Sequence, residues 1–160
     1  MGLPKKLKGV RSKIYQILKS RKKNQSTEGV CLEIIKLCAY LPLGKIPKLL
    51  LQSWINKRIK GLENVDLEVN RALVRLCKQY SIMHLDKNNQ CLSFHKLFRM
   101  AAYNNIMKND EEKILKDLDI VLNETDKSNP KLPFINNAIK YVNQLLNNIG
   151  GEKKSFRCIL

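Results

Sequence analysis

The chain is poor in the residues and spacings that most catalysis requires. Its 160 residues contain no G-x-x-x-x-G-K-[ST] loop, no G-x-G-x-x-G fingerprint and no G-x-S-x-G elbow. Only two histidines occur, His84 and His95. His84 falls in an alternating stretch with no Ser or Cys nucleophile motif beside it. Carboxylates fit no better. Asp117 and Asp119 flank Leu118 and diverge on a helix, and Glu111 and Glu112 are adjacent, so neither pair forms a matched acid and base. The joint absence in so short a chain predicts a protein with no active site of its own.

Other absences bound the chain further. No apolar run approaches the ~18 residues of a transmembrane helix. The N-terminus is charged but has no apolar core, so it does not read as a secretory signal. Gly2 suggests myristoylation, but Lys6 stands where that motif wants Ser or Thr. Cys158 is third from the end rather than fourth, which excludes prenylation. The five cysteines (Cys31, Cys38, Cys77, Cys91 and Cys158) are odd in number and have no C-x-x-C spacing. Four of them lie in apolar patterns, where free Cys packs as a small hydrophobe. A reducing, cytoplasmic setting and no metal site are the expectations.

Positive charge is abundant. Thirty Lys and Arg against fourteen Asp and Glu give a formal net charge of +16. Such a field favours nucleic acid, an acidic membrane or an acidic protein surface. A merely solvated face, or a surface that meets another domain, is the plainer alternative. The cations crowd the start: Lys5, Lys6, Lys8, Arg11, Lys13, Lys19, Arg21, Lys22 and Lys23 all precede the first acid, Glu28. A hydrophobic content of 44% supplies a core and excludes a wholly disordered chain.

Periodicity predicts a mainly α fold. Leu3, Leu7, Val10, Ile14 and Leu18 step along a basic amphipathic helix, and 20–28 reads as a polar linker. Ser26, Thr27 and Glu28 offer helix-start chemistry. Val30, Ile34, Leu37, Cys38 and Leu41 share the face of a helix that ends at Leu41-Pro42-Leu43-Gly44. Pro47 opens the next helix, with Leu50, Leu51, Trp54, Ile55 and Ile59 inward, and Gly61 closes it. Asp66 is a candidate cap for a third helix over 66–80, with Val69, Leu73, Leu76, Cys77 and Tyr80 on its stripe. Residues 81–86 and 90–94 alternate about a turn at Lys87, Asn88 and Asn89, a β-hairpin pattern. His95 starts a helix with Leu97, Phe98, Ala101, Ala102 and Met107 inward. Asp110, Glu111 and Glu112 favour another helix start, continued by Ile114, Leu115, Leu118, Val121 and Leu122. Pro133 opens a last helix with Phe134, Ala138, Tyr141, Val142, Leu145 and Leu146, stopped by Gly150-Gly151.

Four segments follow: a basic amphipathic helix over 1–28, a winged-helix layout of three helices plus a short hairpin over 29–107, a helical extension over 108–150, and a disordered tail over 151–160.

The stretch CLEIIKLCAYLPLGKIPKLLLQSWI resembles the start of the winged helix in NB-ARC signalling ATPases of the STAND type. The resemblance extends through Ile46-Pro47, Trp54-Ile55, Leu73-x-x-Leu76 and the hairpin to Phe94-His95-Lys96-Leu97-Phe98-Arg99-Met100-Ala101. That last stretch is similar to the family's Met-His-Asp motif, with Phe94 for Met and Lys96 for Asp. The resemblance implies that His95 senses the phosphate of bound ADP, a role that a helix N-terminus suits in sign. Gly2-Leu3-Pro4 resembles the start of the family's Gly-Leu-Pro-Leu motif, with Lys5 departing from it. The likeness implies an adenine contact for Pro4. Residues 111–148 look like the helices that lead into tetratricopeptide-type repeats. The resemblance therefore implies a regulatory piece of a larger signalling ATPase, beginning just past the P-loop domain. It implies ADP or ATP as cofactor only in combination with that domain, and a protein as the partner.

Two other functions remain open. A basic winged helix is a DNA-binding format. Its third helix would present Glu68, Asn70, Arg71, Arg75, Lys78 and Gln79. The basic N-terminal helix could instead lie on an anionic membrane.

Overall fold

The computed structural model describes residues 27–88, 90–105, 110–130 and 132–159, together with Gly9; for 150–159 it describes the backbone alone. The described chain is mainly helical. In order come α1 (Thr27–Tyr40), β1 (Ile46–Pro47), α2 (Lys48–Arg58), α3 (Val65–Val74), a π-helical turn (Arg75–Gln79), β2 (Met83–Leu85), β3 (Cys91–Phe94), α4 (Lys96–Asn105), α5 (Glu111–Ser128) and α6 (Pro133–Ile159).

α1 is the central rod. Its expected stripe is buried, but so are Cys31, Leu32, Ile35, Ala39 and Tyr40 on its other sides. A helix with apolar residues on most of its sides must be covered on most of its sides, and α2, α3, α4 and α5 all pack on it. Burial pushes the Cys31 thiol up to about 12 and the Cys38 thiol higher still. The Cys31 Sγ donates to the Ala72 carbonyl at 3.7 Å. Neither thiol is expected to react with a thiol-specific disulfide reagent in the native chain, and both are expected to react once it unfolds. Mass spectrometry after brief labelling checks this. Modification of native Cys38 within minutes would contradict its burial.

α2 places Leu50, Leu51, Trp54 and Ile55 in the same core. The Trp54 indole N–H donates to the Glu33 carbonyl at 2.8 Å, so the buried ring leaves no orphan donor. The helix ends at Arg58, ahead of the expected stop. Ile59 takes the C-cap, and Gly61 turns the chain with φ +83°, a value glycine adopts without strain.

The cap of α3 is Asn64 rather than Asp66: the Asn64 side chain accepts from the Leu67 N–H at 3.1 Å. Asp66 sits in the first turn, where its charge suits the dipole, and accepts from Gln52 Nε2 at 2.5 Å. The helix expected through residue 80 is α only to Val74. Beyond it the backbone widens, with Tyr80 N–H donating to the Arg75 carbonyl and Ile82 N–H to the Leu76 carbonyl. Ser81 then takes φ +55°, a left-handed value uncommon outside glycine.

The hairpin forms as expected and gains a third strand. β3 is central, with Met83 opposite Phe94 and Leu85 opposite Leu92 on one side, and Ile46 opposite Leu92 on the other, all antiparallel. Pro47, expected as a first helical residue, lies in β1 and caps α2. Proline is tolerated there because β1 is an edge strand. Asp86 closes the hairpin by accepting from the N–H groups of Gln90 (2.9 Å) and Cys91 (3.2 Å). Those bonds, the Gln90 one foremost, and the nearby Lys45 hold its carboxyl below the ordinary carboxylate value.

α5 and α6 pack on each other, and α5 lies against α1 and α2. Ile114, Leu115, Leu118, Val121 and Leu122 enter the same core cluster as α1, α2 and α3. One core therefore runs through both the 29–107 and 108–150 segments. Phe134 closes on the loop after α1, where a Cβ on Gly44 would stand 3.0 Å from its ring. α6 runs through Gly150-Gly151 to Ile159, past the expected stop and into the expected tail. Glycine costs helix about 1 kcal/mol but, unlike proline, keeps the N–H that propagation needs.

Candidate functional site

His95 stands at the junction of β3 and α4 and is exposed. Its Nδ1 accepts the Leu97 N–H at 3.1 Å, so the imidazole caps α4. A nitrogen that accepts cannot carry a proton, so the N–H sits on Nε2, which bonds to no acceptor among the described residues. The dipole of the ten-residue α4 adds positive potential at the same point.

The hairpin register brings the second imidazole to the same place. His84 in β2 lies opposite Ser93 in β3. His95 lies two residues beyond Ser93, just past the end of β3. The three line an open cleft of about 490 Å³, along with Ser81, Phe94 and Cys77. The sequence pattern had not joined His84 to His95, nor either to a serine. The pairing register and the π turn do so.

The Ser93 hydroxyl donates to the His84 carbonyl at 3.4 Å rather than to an imidazole. Burial raises the Cys77 thiol, which a backbone bond from Leu85 offsets only in part. Among the described residues, no hydrogen bond links an imidazole to Ser Oγ or Cys Sγ, and no three His, Cys, Asp or Glu side chains are grouped to hold a metal.

The other expected site residues fare differently. Pro4 and, apart from Gly9, residues 1–26 of the expected basic helix lie outside the described residues. On the third helix, Arg71 is paired with Glu68 at 3.1 Å, and Arg75 is paired with the buried Glu28. Lys78 and Gln79 are exposed.

A different arginine joins the helices. Arg58 Nε donates to Glu33 Oε2 at 3.0 Å and its NH1 to Asp117 Oδ2 at 2.6 Å, while the guanidinium lies 5.3 Å from the Trp54 ring centre. Burial works against its charge, but bonds to Glu33 and then Asp117 outweigh that and raise its pKa. No helix among the described residues is long and apolar enough to cross a membrane.

No family model, no curated protein and no solved structure matches the chain.

Proposed function

We propose that the chain is a non-catalytic regulatory and protein-interaction module of the winged-helix kind, acting as in NB-ARC signalling ATPases of the STAND type. The observation that carries this reading is the placement of His95. It is exposed at a strand-to-helix junction, with Nδ1 committed to a backbone N–H and Nε2–H bonded to no acceptor among the described residues. That is the geometry a phosphate-sensing histidine needs. The order helix, strand, helix, helix, hairpin, with β1 paired to β3, also suits a winged helix. Trp54, Ile55, Leu73 and Leu76, which carried the resemblance, all lie in the core. In this reading the nucleotide is held by a P-loop domain on a protein partner, and the setting is cytoplasmic.

The DNA reading has less to stand on. Two of its three cations on the third helix are engaged by carboxylates, which leaves Lys78 among the described residues of that face.

Calorimetry of the chain alone with ADP is expected to be flat, because no phosphate-cradling loop is in the sequence. Added to the P-loop domain of a STAND ATPase loaded with ADP, the chain is expected to slow ADP release by about tenfold. A hydrogen bond to a charged group is worth about that factor. His95→Ala is expected to remove the effect. If the wild-type chain leaves the release rate unchanged, the nucleotide-sensing reading is wrong. If duplex DNA is instead retained with a steep salt dependence, the DNA reading replaces it.

A further inference from the structure

Two half-buried arginines among the described residues lie against aromatic rings, and they differ in one respect. Arg58 over Trp54 is clasped by Glu33 and Asp117. Arg99, on α4, lies 5.0 Å from the Tyr141 ring centre on α6 and is paired with no carboxylate among the described residues. Burial alone lowers its pKa, with no bond to offset it. A partly desolvated guanidinium without a counter-charge is costly to keep, and an incoming carboxylate relieves that cost.

The surroundings define what such a carboxylate would be attached to. Arg99 and Lys96 border a groove of about 330 Å³ between α4 and α6, whose walls include Met100, Tyr103 and Leu145. Met100 and Tyr103 are 45% and 40% exposed, high for large apolar side chains. The Tyr103 hydroxyl is bonded to Glu111 at 3.2 Å and its ring meets Tyr40 edge to face at 5.7 Å, so what borders the groove is the part of the ring left exposed. Two cations beside an apolar wall complement an acid next to a large apolar side chain.

We propose that the groove between α4 and α6 docks an acidic, apolar peptide segment of a partner protein, with a carboxylate on Arg99 and a Leu- or Phe-sized side chain against Met100 and Leu145. The chain's own residues 1–26 are the wrong occupant, because they repeat the groove's charge: Lys5, Lys6, Lys8 and Arg11 begin a run of cations with no acid. Nucleic acid would satisfy the cations but leave the apolar wall wet. A bilayer surface is flat, whereas the groove is concave and sized for one or two side chains.

The proposal is independent of the nucleotide reading, since its test involves neither ADP nor His95. A random dodecapeptide display library is panned on the full chain, and enriched peptides are measured by fluorescence anisotropy. The expected winners carry Asp or Glu three or four residues from Leu, Phe or Trp, the spacing that shares one helix face. Their binding is expected to weaken at least about tenfold in Arg99→Gln. Met100→Glu, at an exposed position, is expected to weaken it similarly. Circular dichroism verifies that each variant is folded, and if Arg99→Gln is not, Met100→Glu decides. Lys45→Gln and Lys87→Gln, on the hairpin side, are expected to change nothing, which separates the groove from bulk attraction to a +16 chain. The proposal is overturned if no peptide is enriched, or if enriched peptides bind the Arg99 and Met100 variants as well as the native chain. It is also overturned if phosphatidylserine vesicles bind in an Arg99-dependent way while peptides do not, which would make the face a lipid site.

Discussion

Arg58→Met is expected to lower the unfolding free energy by about 3 kcal/mol, the lower end of what breaking a buried ion pair costs. The methionine stem still covers Trp54, so packing changes little. What changes is that Glu33 Oε2 and Asp117 Oδ2 lose their cation at side-chain exposures of only 13% and 20%. Lys36, 3.4 Å from the other Glu33 oxygen, relieves part of this, which places the effect at the lower end. In a chain of this size the melting temperature should fall by ~6–12 °C. Replacing the carboxylates as well, with Glu33→Gln and Asp117→Asn, is expected to restore most of the loss, because uncharged partners leave no unpaired charge behind. Urea melts with an unchanged slope give the comparison. A loss under ~1 kcal/mol for Arg58→Met would make these ordinary surface pairs.

Arg75→Gln is expected to cost a similar amount, about 3 kcal/mol, for a different reason. Its partner Glu28 is 1% exposed, and the second carboxylate oxygen has no bonding partner among the described residues. Without the guanidinium, the buried Glu28 carboxyl keeps the N-terminal dipole of α1 but pairs with no other cation among the described residues. Glu28→Gln should be milder, and the double variant should sit well above Arg75→Gln. The interaction term of that four-member cycle measures the pair. Arg75 is also one of the residues a DNA-reading third helix would present. That role predicts the opposite pattern: reduced DNA affinity in Arg75→Gln with stability nearly intact. A stability loss that Glu28→Gln rescues assigns the residue to the fold.

Much of the fold was legible because its marks are local. The stripes Val69-Leu73-Leu76 and Ile114-Leu118-Val121 predicted helices whose buried faces are those residues. The hairpin was legible from alternation about the turn at Lys87 and Asn88. β1 was not. Two residues carry no periodicity, and Pro47 reads as a helix start until Leu92 and Cys91 are placed beside it. Asn64 was passed over for Asp66 because both are good caps, and only the backbone extension at Asn64 decides between them. The run through Gly150-Gly151 escaped because propensity is a weak prior against an established helix.

The candidate site was legible by half. His95 stood out as a polar residue ahead of a helix, and a cap is where it sits. His84 was set aside because nothing near it in sequence could act with it. Its neighbour Ser93 is nine residues away, and the hairpin register makes them opposite.

The sequence by itself determined that this is a basic, mainly helical chain with a short hairpin, because periodicity, caps and turns act over a few residues. It also determined where the cations outnumber the acids. Only the tertiary structure decided which charges are spent and which are left. Arg58 meets Glu33 across 25 residues and Asp117 across 59, and Arg75 meets Glu28 from another helix, while Arg99 meets the Tyr141 ring and no carboxylate among the described residues. Pairings of that kind depend on which helix faces are brought together in the core, and no local pattern along the chain encodes them.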